Sequence, residues 1–290
     1  MYETTKFHLR SVRASSRLMR FGRCAALVVA AIAGFSPGAF AAIDVFESTG
    51  LNPAAITPTR DAFRSAVGGG SVAGANGDFG GVRREINWDG VGAAFSDPTL
   101  LPGGFFNSNS PRGVVFSTPG TGFMVSGVAP VTTLFGFPGD LQTFSASKLF
   151  AIVGSNVMDI QFFVPGTNTA ATTSAFAAIF VDVEDNNLTR MQFFDLSNNE
   201  VFNRTAIAAG NQSLSFLGGV ANAGEKISRV RLTMPENFLM SNGVRNNELV
   251  DFVVMDDFLY ATPSAVPEPG IWAMTLLGLA LLGWRSRKRG

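Results

Sequence analysis

Asp182, Glu184, Asp185, Asn186 and Asn187 crowd one short stretch, Asp195 follows, and Asp256 and Asp257 stand side by side further on. Carboxylates and amides at this density are what hard cations take, calcium collecting about six to eight oxygens from such groups and from carbonyls. The spacing departs from an EF-hand loop, because the central Gly and the distal Glu are missing. A structural calcium held by Asp182, Glu184 and Asp185 therefore competes with a polar turn whose carboxylates are solvated. The same groups are the raw material of glycoside hydrolysis, which needs two carboxyls about 5–10 Å apart. Sugar-binding chemistry also favours aromatic platforms, and between residues 42 and 264 there is one Trp (Trp88) and one Tyr (Tyr260). The hydrolase reading is accordingly the weakest of the three.

The only His is His8 and the only Cys is Cys24, both near the N-terminus. The body has neither, which excludes disulfides, thiolate nucleophiles, His-based triads and the usual His or Cys zinc and copper sites. Formal charge is zero overall but unevenly spread: the body from 42 to 264 carries 12 basic and 20 acidic residues, about −8. An acidic body repels phosphate backbones, so nucleic acid is excluded as an expected partner.

Two terminal segments stand apart from the fold. Arg20 and Arg23 precede the apolar run from Cys24 to Phe35, Pro37-Gly38 breaks it, and Ala39-Phe40-Ala41 has the small-x-small form of a signal-peptide cleavage site. Residues 1–41 read as a signal peptide for the secretion translocon, cleaved after Ala41. Residues 1–18 add no apolar content, so Met19 is an alternative start to Met1. At the other end, Val266-Pro267-Glu268-Pro269 is followed by the uncharged apolar run Gly270 to Trp284 and the basic tail Arg285, Arg287, Lys288 and Arg289. The prolines keep the first part out of a helix interior. The run is shorter than the roughly 20 residues of a comfortable span. Trp284 and the arginines extend its reach at an interface, and their charge keeps the tail cytoplasmic and the body outside.

This tripartite end resembles the PEP-CTERM domain recognised by exosortase, a membrane protease-transpeptidase. The resemblance covers residues 265–290: motif 266–269, helix 270–284, basic tail 285–290. It implies transient anchoring in the inner membrane, recognition at Pro-Glu-Pro, removal of the helix, and a destination at the cell surface or in an extracellular matrix. It also implies exopolysaccharide as a partner, since such proteins are typical of bacteria that make it.

The body, residues 42–264, shows strand signals from Glu85 onward with Gly, Asn and Pro between them. Ile227 to Met234 alternates, with Val230, Leu232 and Met234 inward. Phe176 to Val183 is apolar on both faces, as in a central strand covered on both sides. Before these, Thr57 and Pro58 predict the cap and first residue of a short helix that ends at Gly68. The expected fold is all-β: an antiparallel, jelly-roll-like β-sandwich with one short helix. Its closing strand, Val253 to Phe258, resembles the last strand of jelly-roll adhesion and lectin-like domains. The resulting expectation is a non-enzymatic surface protein associated with exopolysaccharide and needing no cofactor. The alternatives are a calcium-dependent carbohydrate-binding module and a glycan-active hydrolase.

Overall fold

The computed structural model describes residues 43–128, 133–266 and 279. The signal peptide with Ala39 and Ala41, the motif residues Pro267, Glu268 and Pro269, and the basic tail lie outside the described residues. So does all but one residue of the apolar run.

The body is all-β. One sheet runs β1 (Ile43–Gly50), β12 (Leu214–Ala221), β9 (Ala175–Val181), β14 (Val254–Ala261), β3 (Arg83–Ile86) and β2 (Asp78–Phe79), with β6 (Phe150–Val153) and β5 (Gly122–Val125) branching from β14. The second sheet runs β11 (Glu200–Thr205), β10 (Arg190–Phe194), β13 (Arg229–Thr233), β7 (Val157–Phe162) and β4 (Val114–Ser117). A two-stranded ribbon pairs β8 (Ala171–Thr172) with β15 (Ser264–Ala265). Each of these strand pairs is antiparallel, from β1 with β12 to β4 with β7.

The alternation along β9 shows how the layers are built. Phe176, Ala178 and Phe180 face the core between the two sheets, where they meet Phe193, Val230, Ile160 and Phe258. Ala175, Ala177, Ile179 and Val181 face the other way, into a second core closed by α1 (Pro53–Val67) and residues 133–149. Side chains alternate across a strand, so a run apolar at every position demands cover on both faces. The expected two-layer sandwich is thus real and carries a third, partial layer. Phe63 of α1 is fully buried, edge-on to Phe46 at 5.6 Å and Phe216 at 5.8 Å. Gly218 lets the helix approach, since a Cβ there would overlap Ala177 and crowd Phe63.

The expected helix is present but begins five residues earlier than its proline signal. Asn52 caps it, its side chain accepting from Ala55 N at 3.2 Å, and Pro53 occupies the first turn. Pro58 sits inside, in the early part of the helix. Thr57 is no cap: its hydroxyl donates to Pro53 O at 2.8 Å. Both prolines suit a helix start, and only the Asn52 side chain distinguishes them. The apolar signal from Leu249 to Tyr260 predicts a closing strand over that range, but the strand begins only at Val254, and β11 was not expected at all. In β11 only Phe202 is buried, so an edge strand with one inward residue left little apolar signal.

Candidate functional site

The acidic turn follows β9. Asp182 adopts φ 70°, a left-handed conformation that Asp and Asn tolerate better than other residues with side chains. The turn buries its side chain, and Oδ1 accepts from Gln212 N at 2.8 Å. Burial, reinforced by the charges of Asp251, Glu184 and Asp140 and opposed by that hydrogen bond, pushes its carboxyl up to about 7. Asp251 is raised to about 6, again chiefly by burial; its Oδ2 accepts from Glu184 N at 2.9 Å and its buried Oδ1 has no partner. Asp140 is held by Arg245 at 2.6 Å. Asp185 turns to its own backbone and accepts from Asn187 N at 2.7 Å. The fold therefore gathers Asp182 and Glu184 with Asp251 and Asp140, rather than closing a ring over Asp182, Glu184 and Asp185. Among the described residues, no three His, Cys, Asp or Glu side chains converge as a metal centre.

Asp256 and Asp257, far apart from that turn in role, share a bulge of β14 between Met255 and Phe258. Both are buried. Ser145 Oγ lies 3.0 Å from Asp256 Oδ1 and 2.9 Å from Asp257 Oδ1, and Phe144 N donates to Asp256 Oδ2 at 2.6 Å. A hydroxyl has one proton to give, so both contacts are hydrogen bonds only when one carboxyl is protonated. Burial raises both carboxyls, and the neighbouring charge of Asp257 raises Asp256 further. The pair behaves as two like charges that cannot both ionise cheaply.

Asp257 reaches the floor of a cleft of about 650 Å³. One wall is α1, whose Thr57, Arg60 and Arg64 share a helix face; the other is the glycine-rich segment 73–79. Glu85, beside Asp257, takes both terminal oxygens to Arg64 (2.8 and 2.6 Å) and one to Arg83 at 2.7 Å. Arg60 lies over the Phe144 ring at 5.1 Å and pairs with Asp61. Arg112 donates through Nη1 to the Glu85 carbonyl and through Nε to Ser110 Oγ at 3.2 Å, with its guanidinium over Phe106. Burial lowers the Arg112 pKa, as does neighbouring Arg84. Among the described residues no carboxylate forms an ion pair with it. Gly77 carries the loop across this floor at φ 62°, where a Cβ would overlap both the Glu85 carbonyl and the Arg112 guanidinium. The pattern missed in the sequence is this one: Arg64, Glu85 and Arg112 lie far apart in the chain and share no motif.

Trp88 and Tyr260 provide no sugar platform. Trp88 stacks on Phe150 at 4.1 Å and donates to Asp256 O at 2.7 Å, fully buried. Tyr260 donates to Arg112 O at 3.1 Å.

The sorting end leaves the body at the small ribbon. Ser264 pairs with Thr172 and Ala265 with Ala171, and Val266 N donates to Ala170 O at 3.2 Å. Residues 265–289 match the PEP-CTERM protein-sorting motif. The chain carries a PEP-CTERM sorting signal. No curated protein matches the chain. As a PEP-CTERM protein it is exported, held transiently in the membrane and passed to exosortase for cleavage and surface display. Its motif begins within β15, so the ordered fold runs directly into the signal with no spacer between them. No helix among the described residues is long and apolar enough to cross a membrane, and all of the segment 270–284 except Leu279 lies outside them.

Proposed function

We propose that this PEP-CTERM protein is a non-enzymatic component of the cell surface or matrix that associates with the cell's own exopolysaccharide. The observation that carries the reading is the sorting signal that follows directly on the β-sandwich body through its small terminal ribbon. The placement of its carboxylates supports the non-enzymatic part. Hydrolysis needs one carboxyl free to act as nucleophile or base beside another able to give a proton. Glu85 is committed to two arginines, and Asp257 shares its proton environment with Asp256 and Ser145. The outward face of the second sheet supports association with a hydroxylated polymer. Asn203, Gln192, Arg231, Asp159 and Ser117 align in one polar row across its five strands. Neighbouring strands lie about 4.8 Å apart, so such a row presents donors and acceptors at regular intervals.

The test compares cells that make exopolysaccharide with an isogenic strain that does not. The processed protein should stay with the cell or matrix in the first and appear in the medium in the second, and the purified protein should co-sediment with the isolated polysaccharide. Equal retention in both strains without co-sedimentation would refute the association. Release of reducing sugar from that polysaccharide would refute the non-enzymatic part.

A further inference from the structure

We propose that the cleft between α1 and the 73–79 segment is a binding site for a polyhydroxylated carboxylate, the chemistry of a uronic-acid unit in an acidic glycan. The inference rests on the reading that the protein meets polysaccharide outside the cell, and it names the site and the sugar class.

The body is acidic, yet five of its 12 basic residues, Arg60, Arg64, Arg83, Arg84 and Arg112, surround this one corner. Four of them have carboxylate partners: Arg60 has Asp61, Arg64 and Arg83 share Glu85, and Arg84 faces Asp78 at 3.7 Å. Among the described residues Arg112 has none, although it is half-buried and burial of an uncompensated charge is costly. Its Nη1 and Nε donate to the Glu85 carbonyl and to Ser110, which fixes the guanidinium plane of a residue that lines the cleft. A fixed guanidinium is suited to a carboxylate, whose geometry matches its donors and whose charge supplies the missing counter-ion.

The acids in the cleft do not oppose this. Glu85 is neutralised by two arginines, and burial raises both Asp256 and Asp257, which disfavours full ionisation of that pair. The Asp257 carboxyl on the floor is an acceptor for a ligand hydroxyl. Asn76 accepts from Ser110 through Oδ1, which leaves its amide N–H groups for a ligand. Asn87 stands at the rim, exposed. The cleft's volume of about 650 Å³ falls among small-molecule sites, which span roughly 300–1,000 Å³. Gly77 keeps the site open, because any side chain there would lie on Arg112.

The experiment is calorimetric titration of the full chain with trigalacturonate, using its methyl ester as the uncharged control. The acid should bind at least tenfold more tightly than the ester, with an affinity that falls as salt rises. Arg112→Gln should weaken binding of the acid at least tenfold and leave the ester unchanged. Because Arg112 also braces Ser110 and Glu85, a second variant, Arg60→Glu, places a repelling charge on the helix wall away from that brace and should abolish binding of the acid while leaving binding of the ester unchanged. Equal affinity for acid and ester, or undiminished binding by Arg60→Glu, would overturn the site. Absence of binding to trigalacturonate while the wild type still co-sediments with native exopolysaccharide would overturn the site alone. Absence of both would overturn the functional reading with it.

Discussion

Asp182→Asn should stabilise the body at alkaline pH and not at acid pH. Asp182 titrates near 7 in the folded protein rather than at the ordinary 3.8. A carboxyl raised on folding binds more protons in the native state, so stability is full below the unfolded pKa and is lost as pH rises from about 4 through about 7. At pH 8 the ionised group therefore costs the fold at most about 4 kcal/mol by linkage. Relaxation and water access around the buried charge cut this to about 2 kcal/mol. Asn removes the charge, keeps an oxygen for Gln212 N, and tolerates the same φ of 70°. For a domain of this size, each kcal/mol moves the midpoint by about 2–4 °C, so the variant should melt roughly 4–8 °C higher than wild type at pH 8. At pH 3.5, below the unfolded value of 3.8, the group is mostly uncharged in the folded and the unfolded chain alike, and the two proteins should melt within a degree or two of each other. Scanning calorimetry at the two pH values is the assay. An equal gain at both would place the effect in packing or in the unfolded chain, and a loss at pH 8 would show that the charge is wanted. The same pair of proteins with and without millimolar calcium addresses the cation reading. A calcium-dependent rise in the wild-type midpoint, abolished by the substitution, is the outcome a cation site requires.

Other outcomes follow from the packing. Phe63→Ala removes the ring that joins α1 to Phe46 and Phe216, and should cost about 3–5 kcal/mol, read as a lower midpoint in urea. Glu85→Gln leaves Arg83 buried with no carboxylate, and a loss of about 3 kcal/mol in the same assay is expected, larger than that of Arg64→Gln, whose partner Glu85 keeps Arg83. Gly77→Ala forces a Cβ onto the Arg112 guanidinium and should both lower the thermal midpoint and close the cleft to ligand. Replacing Pro267, Glu268 and Pro269 with Ala should leave the C-terminal segment attached, seen as a heavier surface protein by intact mass; processing at the normal mass would show that the motif is dispensable.

Destination was written locally. A sorting signal works as a short linear segment of charge, apolar length and proline, and so it is legible wherever those residues stand in order. The same holds for β9 and β13, whose patterns of burial are properties of neighbours two residues apart. Other features were decided only by the tertiary structure. Asn52 and Thr57 are equally good caps by type, and α1 starts at the one whose geometry let Ile56 and Phe63 reach the second core. The run Asp182 to Asn187 reads as one acidic cluster, yet the left-handed turn at Asp182 separates it, pairing Asp182 with Asp251 and spending Asp185 on its own backbone. The cleft is the clearest case: Arg64, Glu85, Arg112, Ser145 and Asp257 come from a helix, a strand, two loops and a bulge. Charge and proton sharing act through distance in space. Where contacts join residues this far apart in the chain, composition and spacing carry no record of which arginine is left without a carboxylate.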